Sequence, residues 1–418
     1  MGERNDIVVV GAGAIGLSCA LALLEAGRDV RVIDAGRVGG GSSHGNCGTL
    51  TPSHAPPLAA PGTMLQAMKW MLKADAPLYV HPGIDPPLWR WLTRFALRCN
   101  VRDWESSARA KHALLQDSRD RIQAWVERFG LDCQFMESGE DYVYRDRKLF
   151  EHDQWEFPLL HELGVSAVAI EGAEYEAAEP AFKPGVAGAI RFSGDAMLRP
   201  DQYVAELARC VRERGGSIDE HRAMTGVEFG RDGARVATAT GELHASNVII
   251  AAGAWSALLA RQLRLPWLRH AIQPGKGYSI TYDRPSLTPS HPLILRGPQV
   301  CVTAWGDGYR LGSTMEFSGY NDTLNERRLG ALERGAALFL HEPVGPVVRE
   351  RWYGWRPMSL DDVPLIGPVP GVQGLWLATG HGMMGMGMSA GTGQMVADLV
   401  TGKAPDVDHR PFRPERLA

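Results

Sequence analysis

No stretch of the chain approaches about 18 uninterrupted apolar residues, so no bilayer-spanning helix is expected, which still permits attachment to a membrane surface. A surplus of positive charge is also missing. Forty-four Lys and Arg stand against 48 Asp and Glu, a formal net charge of −4, which offers little to a polyanion and directs attention from nucleic acid to small molecules. The six cysteines, Cys19, Cys47, Cys99, Cys133, Cys210 and Cys301, include no C-x-x-C pair and no metal-ligand spacing. Neither a zinc site nor a disulfide framework is indicated, no metal is expected, and a reducing compartment fits. The first strand-like run begins at Ile7, too early for the basic and apolar regions of a secretion signal, so a cytoplasmic location is expected.

Glycine, by contrast, is abundant: 48 residues in 418, against an average usage of roughly 7%. It clusters at 11–16, 36–48 and 380–393, and clustered glycine marks backbone held close to a ligand. The chain opens Ile7-Val8-Val9-Val10, Gly11-Ala12-Gly13-Ala14-Ile15-Gly16, then a helical run stopped by Gly27, then Val30-Arg31-Val32-Ile33-Asp34. Strand, glycine turn, helix, strand and terminal acid form a dinucleotide-binding unit. Gly11 permits the turn, Gly13 admits a pyrophosphate to the backbone, Gly16 lets helix and strand pack closely, and Ala14 and Ile15 lie at the helix start, where free amides face phosphate. Asp34, followed by Ala35, stands where an adenosine ribose presents its hydroxyls.

Residues 36–48 do not read as the helix that a nicotinamide domain would place there. They read as an extended path with donors at Ser42, Ser43 and Asn46, leading to Gly48 and Leu50 and suited to run beside a pyrophosphate and a flavin ring. A β-meander is expected from Thr225–Phe229, with Val227 a cofactor-side candidate, through a hairpin near Arg231-Asp232-Gly233 to a strand over 245–250. Ala252 and Gly253 follow, small residues at a strand end leaving room for cofactor, with Trp255 beside them.

A further strand at 374–379 precedes Gly380-His381-Gly382-Met383-Met384-Gly385 and a helix from about Ser389 to Val400. Two literal motif matches here are rejected. Gly380, Gly382 and Gly385 spell a second dinucleotide fingerprint, but Lys403-Ala404-Pro405 follows the helix instead of a strand and acid. Gly387-Met388-Ser389-Ala390-Gly391 matches a hydrolase nucleophile elbow, yet Ser389 lies about ten residues past the strand. What survives is a helix amino terminus aimed at the pyrimidine end of a flavin, where its dipole stabilises the negative charge of the reduced ring.

These segments, with Asn46-Cys47-Gly48-Thr49-Leu50-Thr51-Pro52, Ala59-Ala60-Pro61-Gly62, Met68-Lys69-Trp70-Met71, Lys276-Gly277-Tyr278-Ser279 and Gly354-Trp355-Arg356-Pro357, resemble the FAD-dependent oxidoreductases of the D-amino-acid oxidase and glycine oxidase superfamily. The likeness to bacterial D-amino-acid dehydrogenases runs through nearly the whole chain. It implies a Rossmann-like α/β FAD domain from residues 1–85, 175–259 and 352–418, interleaved with a mixed β-sheet substrate domain from 86–174 and 260–351. It implies non-covalent FAD, although His44 and Cys47 lie near the expected flavin path. Arg356 is implied to clamp the substrate carboxylate, with Tyr278 beside it and His54 and His381 as further substrate-binding candidates. The implied reaction is hydride transfer from Cα of a small D-amino or imino acid to flavin N5, giving an imine or 2-oxo acid.

Alternatives remain open at this level. A hydroxy-D-proline or D-proline dehydrogenase keeps every motif, and a non-catalytic flavoprotein subunit keeps the cofactor site. A nicotinamide-linked enzyme is disfavoured by residues 36–48. The apolar groups Met64, Leu65, Met68, Met71 and Leu72, and Trp89, Trp91, Leu92, Phe95 and Leu97, read as core or as a peripheral membrane contact for delivery of electrons to quinone.

Overall fold

The computed structural model describes residues 3–60, 77–81, 83 and 85–418. The apolar runs at the start of the chain form parallel strands buried on both faces, as uninterrupted Val and Ile predict. Strand Glu3–Val10 pairs in parallel with Val30–Ile33 on one side and Gly241–Ile250 on the other. Ser217–Asp219 extends the sheet beyond Val30–Ile33, and Leu375–Thr379 joins Gly241–Ile250 in parallel. The expected meander is present as Met224–Gly230, Gly233–Thr238 and Gly241–Ile250, all antiparallel.

Helix Ala14–Glu25 covers this sheet and meets helix Ser389–Val400 at very short range. A Cβ on Gly393 would lie 2.4 Å from the Ser18 carbonyl oxygen, so glycine sets the separation. Helix Pro200–Glu213 buries Tyr203, Val204, Leu207 and Val211, the stripe its periodicity predicts. Ser389 is fully buried and shares a 3.2 Å hydrogen bond with the Tyr203 hydroxyl, which makes it a helix-packing residue.

The second sheet has nine strands and mixes parallel and antiparallel pairing. Its spine is Ile272–Asp283, flanked by Val348–Ser359 and Gly308–Phe317. Three pieces of chain expected in the FAD part pair here: Leu78–Val80, Gly188–Phe192 and residues 352–359 of Val348–Ser359. Local pattern identifies a strand without naming its partner, and each of these lies next to a crossover between the sheets. Among the described residues no helix is long and apolar enough to cross a membrane.

Candidate flavin and substrate site

A cavity of 1690 Å³ is lined from both sheets. At one end stands the glycine turn. The Gly11 amide donates to the Ile33 carbonyl at 2.8 Å, and a Cβ on Gly11 would meet the Ala251 oxygen at 2.4 Å while φ is +118°. Gly16 does not line the cavity; a Cβ there would lie 1.8 Å from the Gly11 oxygen, so its role is helix–turn packing. Gly13, Ala14 and Ile15 border the open space, as do Ala35, Ser42, Ser43 and Asn46. The Asp34 carboxylate accepts from the Ala12 and Gly36 amides, both at 2.7 Å. It therefore holds the turn, with lone pairs left for a ribose.

The 36–48 path folds back beside this turn. Ser43 Oγ accepts from the Ala14 amide at 3.1 Å, Ser42 Oγ donates to the Trp355 carbonyl, and Asn46 Oδ1 accepts from the Gly48 amide at 2.6 Å. Gly48 and Leu50 lie behind the lining: a Cβ on Gly48 would sit 2.0 Å from the Leu198 oxygen, and Leu50 is fully buried. Ala252, Gly253 and Trp255 border the cavity, whereas Val227 does not, because its side chain packs into the meander core. Residues 221–224 border it instead. At the third cluster Gly382, Met383, Met384 and Gly385 face the space, while Gly380 packs against Ser359 and Leu365. Backbone kept bare by glycine, with a helix start beside it, fits the pyrophosphate and ring of FAD.

Arg356 enters the opposite end from strand Val348–Ser359. In the register Gly277 faces Gly354, and a Cβ on Gly277 would lie 2.1 Å from Arg356 Nη1, so the bare strand makes space for the guanidinium. Nη1 donates to the Thr314 carbonyl at 2.7 Å. Burial lowers its pKa from the ordinary guanidinium value, and no carboxylate pairs with it among the described residues. Such a group can grip a ligand carboxylate with two N–H donors.

Tyr278 borders the cavity with Arg356, but its hydroxyl is turned away from the guanidinium. As the chain neighbour of Gly277 it leaves the opposite face of the strand, where its hydroxyl donates to Glu316 at 3.0 Å and it belongs to the same core cluster as Leu329 and Leu332 of helix Glu326–Ala337. Glu316 in turn lies 3.3 Å from Arg328. His381 borders the cavity with its ring tied into the fold. Its Nε2 is 3.0 Å from Thr392 Oγ1, and burial pushes its pKa down to about 3, leaving a neutral ring that ties the loop to the following helix.

His54 ends the turn Pro52–His54 and opens on the cavity, with Nε2 2.7 Å from the fully buried Glu140 carboxylate. Burial pulls the imidazole pKa down, but Glu140 outweighs it and the pKa stands above its ordinary value. Behind it Asp195 accepts from the Ser53 amide at 3.2 Å and from Ser53 Oγ at 2.5 Å, and burial together with the Glu140 charge raises its pKa to about 7.

Several cavity groups carried no sequence signal. Lys111 on helix Val101–Phe129 forms a 2.6 Å ion pair with Asp362, both nearly inaccessible. Tyr142, Asp153, Glu156 and Arg296 form a further wall. In sequence these look like ordinary polar residues on strands and helices, and only sheet register brings them together.

A family model described as "FAD dependent oxidoreductase" (DAO) matches residues 6–399. The chain belongs to this family. It is thus an FAD-dependent oxidoreductase with a Rossmann-like domain and a mixed-sheet domain. It is 32% identical over 424 residues to a D-amino acid dehydrogenase of Methylobacterium nodulans, covering 96% of this chain and 97% of the relative. It is 30% identical over 422 residues to one of Granulibacter bethesdensis, covering 99% of each. Similar solved structures include glycine oxidase from Geobacillus kaustophilus (TM-score 0.77, 21% identity, 98% of each chain) and L-proline dehydrogenase from P. horikoshii (TM-score 0.73, 18% identity, 100% of this chain and 98% of that one).

Proposed function

We propose that this FAD-dependent oxidoreductase oxidises the carbon–nitrogen bond of a D-amino or cyclic imino acid. The observation that carries the reading is Arg356, a cavity-facing guanidinium held by one carbonyl and lacking a carboxylate partner among the described residues. Relatives named D-amino acid dehydrogenase support the substrate class and configuration. Bound FAD would supply a two-electron acceptor for hydride from the substrate Cα. Arg356 fixes the substrate carboxylate, so that Cα is presented in one orientation; positioning of this kind supplies much of the acceleration without an obligatory side-chain base. The amine must be neutral when hydride leaves, and its proton goes to the medium. The product is an imine that hydrolyses to a 2-oxo acid and ammonia, or stays cyclic from a proline-like substrate.

FAD is proposed to be non-covalent. His44 is turned to Glu350 at 2.8 Å, and Cys47 Sγ lies over Gly312, whose strand partner is Cys301. Acid precipitation tests this, because tethered flavin would remain yellow in the pellet.

The acceptor is proposed to be a quinone, reached by peripheral contact with the inner face of the cytoplasmic membrane. On helix Pro86–Arg98, Trp89 and Leu97 are exposed beside Arg90 and Arg98, whereas Trp91 packs on Phe317; residues 64–72 lie outside the described ones. Sedimentation of all activity with the soluble fraction at low salt would count against that contact.

The central test is the anaerobic visible spectrum during titration with D-alanine, D-arginine, D-proline, cis-4-hydroxy-D-proline, glycine and sarcosine. Bleaching of the oxidised band by a D-amino or imino acid is expected, and bleaching by the cyclic compounds alone would select a D-proline or hydroxy-D-proline dehydrogenase. A flavin that none of them bleaches would sink the reading in favour of a non-catalytic subunit.

A further inference from the structure

One cavity wall holds a carboxyl for which the reaction as described has no use. The floor leading to it is Tyr142, Ile294 and Cys301, in register on one face of the nine-stranded sheet, a row that continues to Gly312 and Ser279 beneath Cys47. Arg356 is anchored at Thr314 on the strand that carries Gly312, and Tyr142 stands three strands away, roughly 14 Å at about 4.8 Å per strand. Over Tyr142, 5.1 Å from the ring centroid, lies the Arg296 guanidinium, which donates to Asp153 at 2.9 and 2.5 Å.

Glu156 ends the turn Gln154–Glu156 just beyond Asp153 and lines the same cavity. It makes no side-chain hydrogen bond and no ion pair among the described residues. The charges around it are otherwise matched. Asp153 is neutralised by Arg296 and Glu140 by His54, while Asp195 is hydrogen-bonded by Ser53. Glu156 is thus the unmatched acid of this wall. An ionised carboxyl removed from water without a partner is costly, and burial accordingly raises its pKa to about 7, with Arg296 opposing.

We propose that Glu156 is a specificity-determining residue that receives the cationic end of a long substrate side chain, so that the preferred substrates are D-amino acids ending in an ammonium or guanidinium. This rests on the amino-acid reading above. An extended lysine or arginine spans on the order of 8 Å from carboxylate to terminal nitrogen, and the remaining distance to the far wall is of the order of a glutamate side chain. The alkyl stem would cross Ile294 and Cys301, the apolar part of the floor, and the bound cation would supply the partner that Glu156 lacks.

The test is anaerobic reduction of the holoenzyme by D-lysine, D-arginine, cis-4-hydroxy-D-proline and D-norleucine, the last having the lysine chain without its ammonium. Wild type, Glu156→Gln and Glu156→Asp are compared, with KM and limiting rate separated and melting temperatures taken to show that each variant is folded. Wild type should show a KM for D-lysine at least about tenfold below that for D-norleucine. Glu156→Gln should erase the difference through KM, and Glu156→Asp should restore part of it. The preference should grow as pH rises through about 7 and Glu156 ionises, and the Gln variant should flatten that rise. The neighbouring titratable groups, His54, Asp153 and Arg296, also act on a substrate cation, so it is the change in the lysine-to-norleucine ratio between wild type and Glu156→Gln that isolates Glu156. Equal KM values, or a preference that survives in Glu156→Gln, would overturn the proposal. So would reduction by cis-4-hydroxy-D-proline without reduction by D-lysine, an outcome that leaves the amino or imino acid reading intact. A flavin that none of these compounds, glycine or sarcosine reduces would instead overturn the reading beneath it.

Discussion

At the end of the cavity proposed for the cofactor, the lining is largely main chain: the turn from Gly11 to Ile15, parts of the 36–48 path and Gly382 to Gly385, each held by backbone and short side-chain hydrogen bonds. At the end proposed for the substrate it is side chain: Arg356, His54, Glu156, Arg296 and the Lys111–Asp362 pair, drawn from segments hundreds of residues apart and brought together by sheet register and helix packing. The first kind of surface recognises what every flavin dinucleotide shares, phosphate and ring edges. The second can change one residue at a time, which is how a scaffold keeps its cofactor while its substrate varies.

The contrast is broken most severely at Gly16. In Gly16→Val the side chain would have to occupy the position of the Gly11 carbonyl, 1.8 Å from the new Cβ, and backbone cannot yield there. Loss of the flavin band and of most soluble protein is expected; a normal yellow holoenzyme with unchanged melting temperature would refute the packing argument. Arg356→Ala comes next. It should leave FAD bound and raise the substrate KM by about 10²- to 10³-fold, the scale of a lost charge-assisted carboxylate contact, with Arg356→Lys recovering part. A near-normal KM would remove Arg356 from the clamp.

Tyr278→Phe sharpens the boundary between the site and its scaffold. Deleting the hydroxyl that serves Glu316 should cost about 1–2 kcal/mol in urea unfolding with KM nearly unchanged. A raised KM at unaltered stability would return Tyr278 to the substrate.

The smallest effect concerns pH, where the two regions differ in sign. An unfolded His381 takes up a proton near its ordinary pKa of 6.5, whereas the folded ring, pushed down to about 3, does not. Between those values the unfolded state binds more protons, so acidification removes stability. In Asp195 the folded carboxyl is raised to about 7, so its contribution is present at low pH and is lost as pH rises toward 7. His381→Gln should therefore lose less stability than wild type between pH 7 and pH 5, read from urea midpoints. An identical decline in both proteins would contradict the neutral, buried ring.

The dinucleotide unit, the meander and the helix at Ser389–Val400 were legible because each is encoded locally: periodicity gives the element, and glycine at fixed spacing gives the turn. Arg356 drew attention through its aromatic and proline neighbours, and it does face the cavity. Tyr278 borders the cavity, but a strand sends adjacent side chains to opposite faces, and a motif that spans both does not say which face meets the ligand. Val227 misled because the meander closes its own core before reaching the cavity. Glu156 and the Lys111–Asp362 pair had no local signature.

The amino-acid order alone thus determined the cofactor class and the elements that build its cradle, since these depend on contacts within a few tens of residues and on where a Cβ is forbidden. Tertiary structure alone decided which strands belong to which sheet, which polar residues face the cavity and which charge is left unmatched. Those outcomes depend on register between distant strands and on burial, and neither exists until the chain has closed on itself.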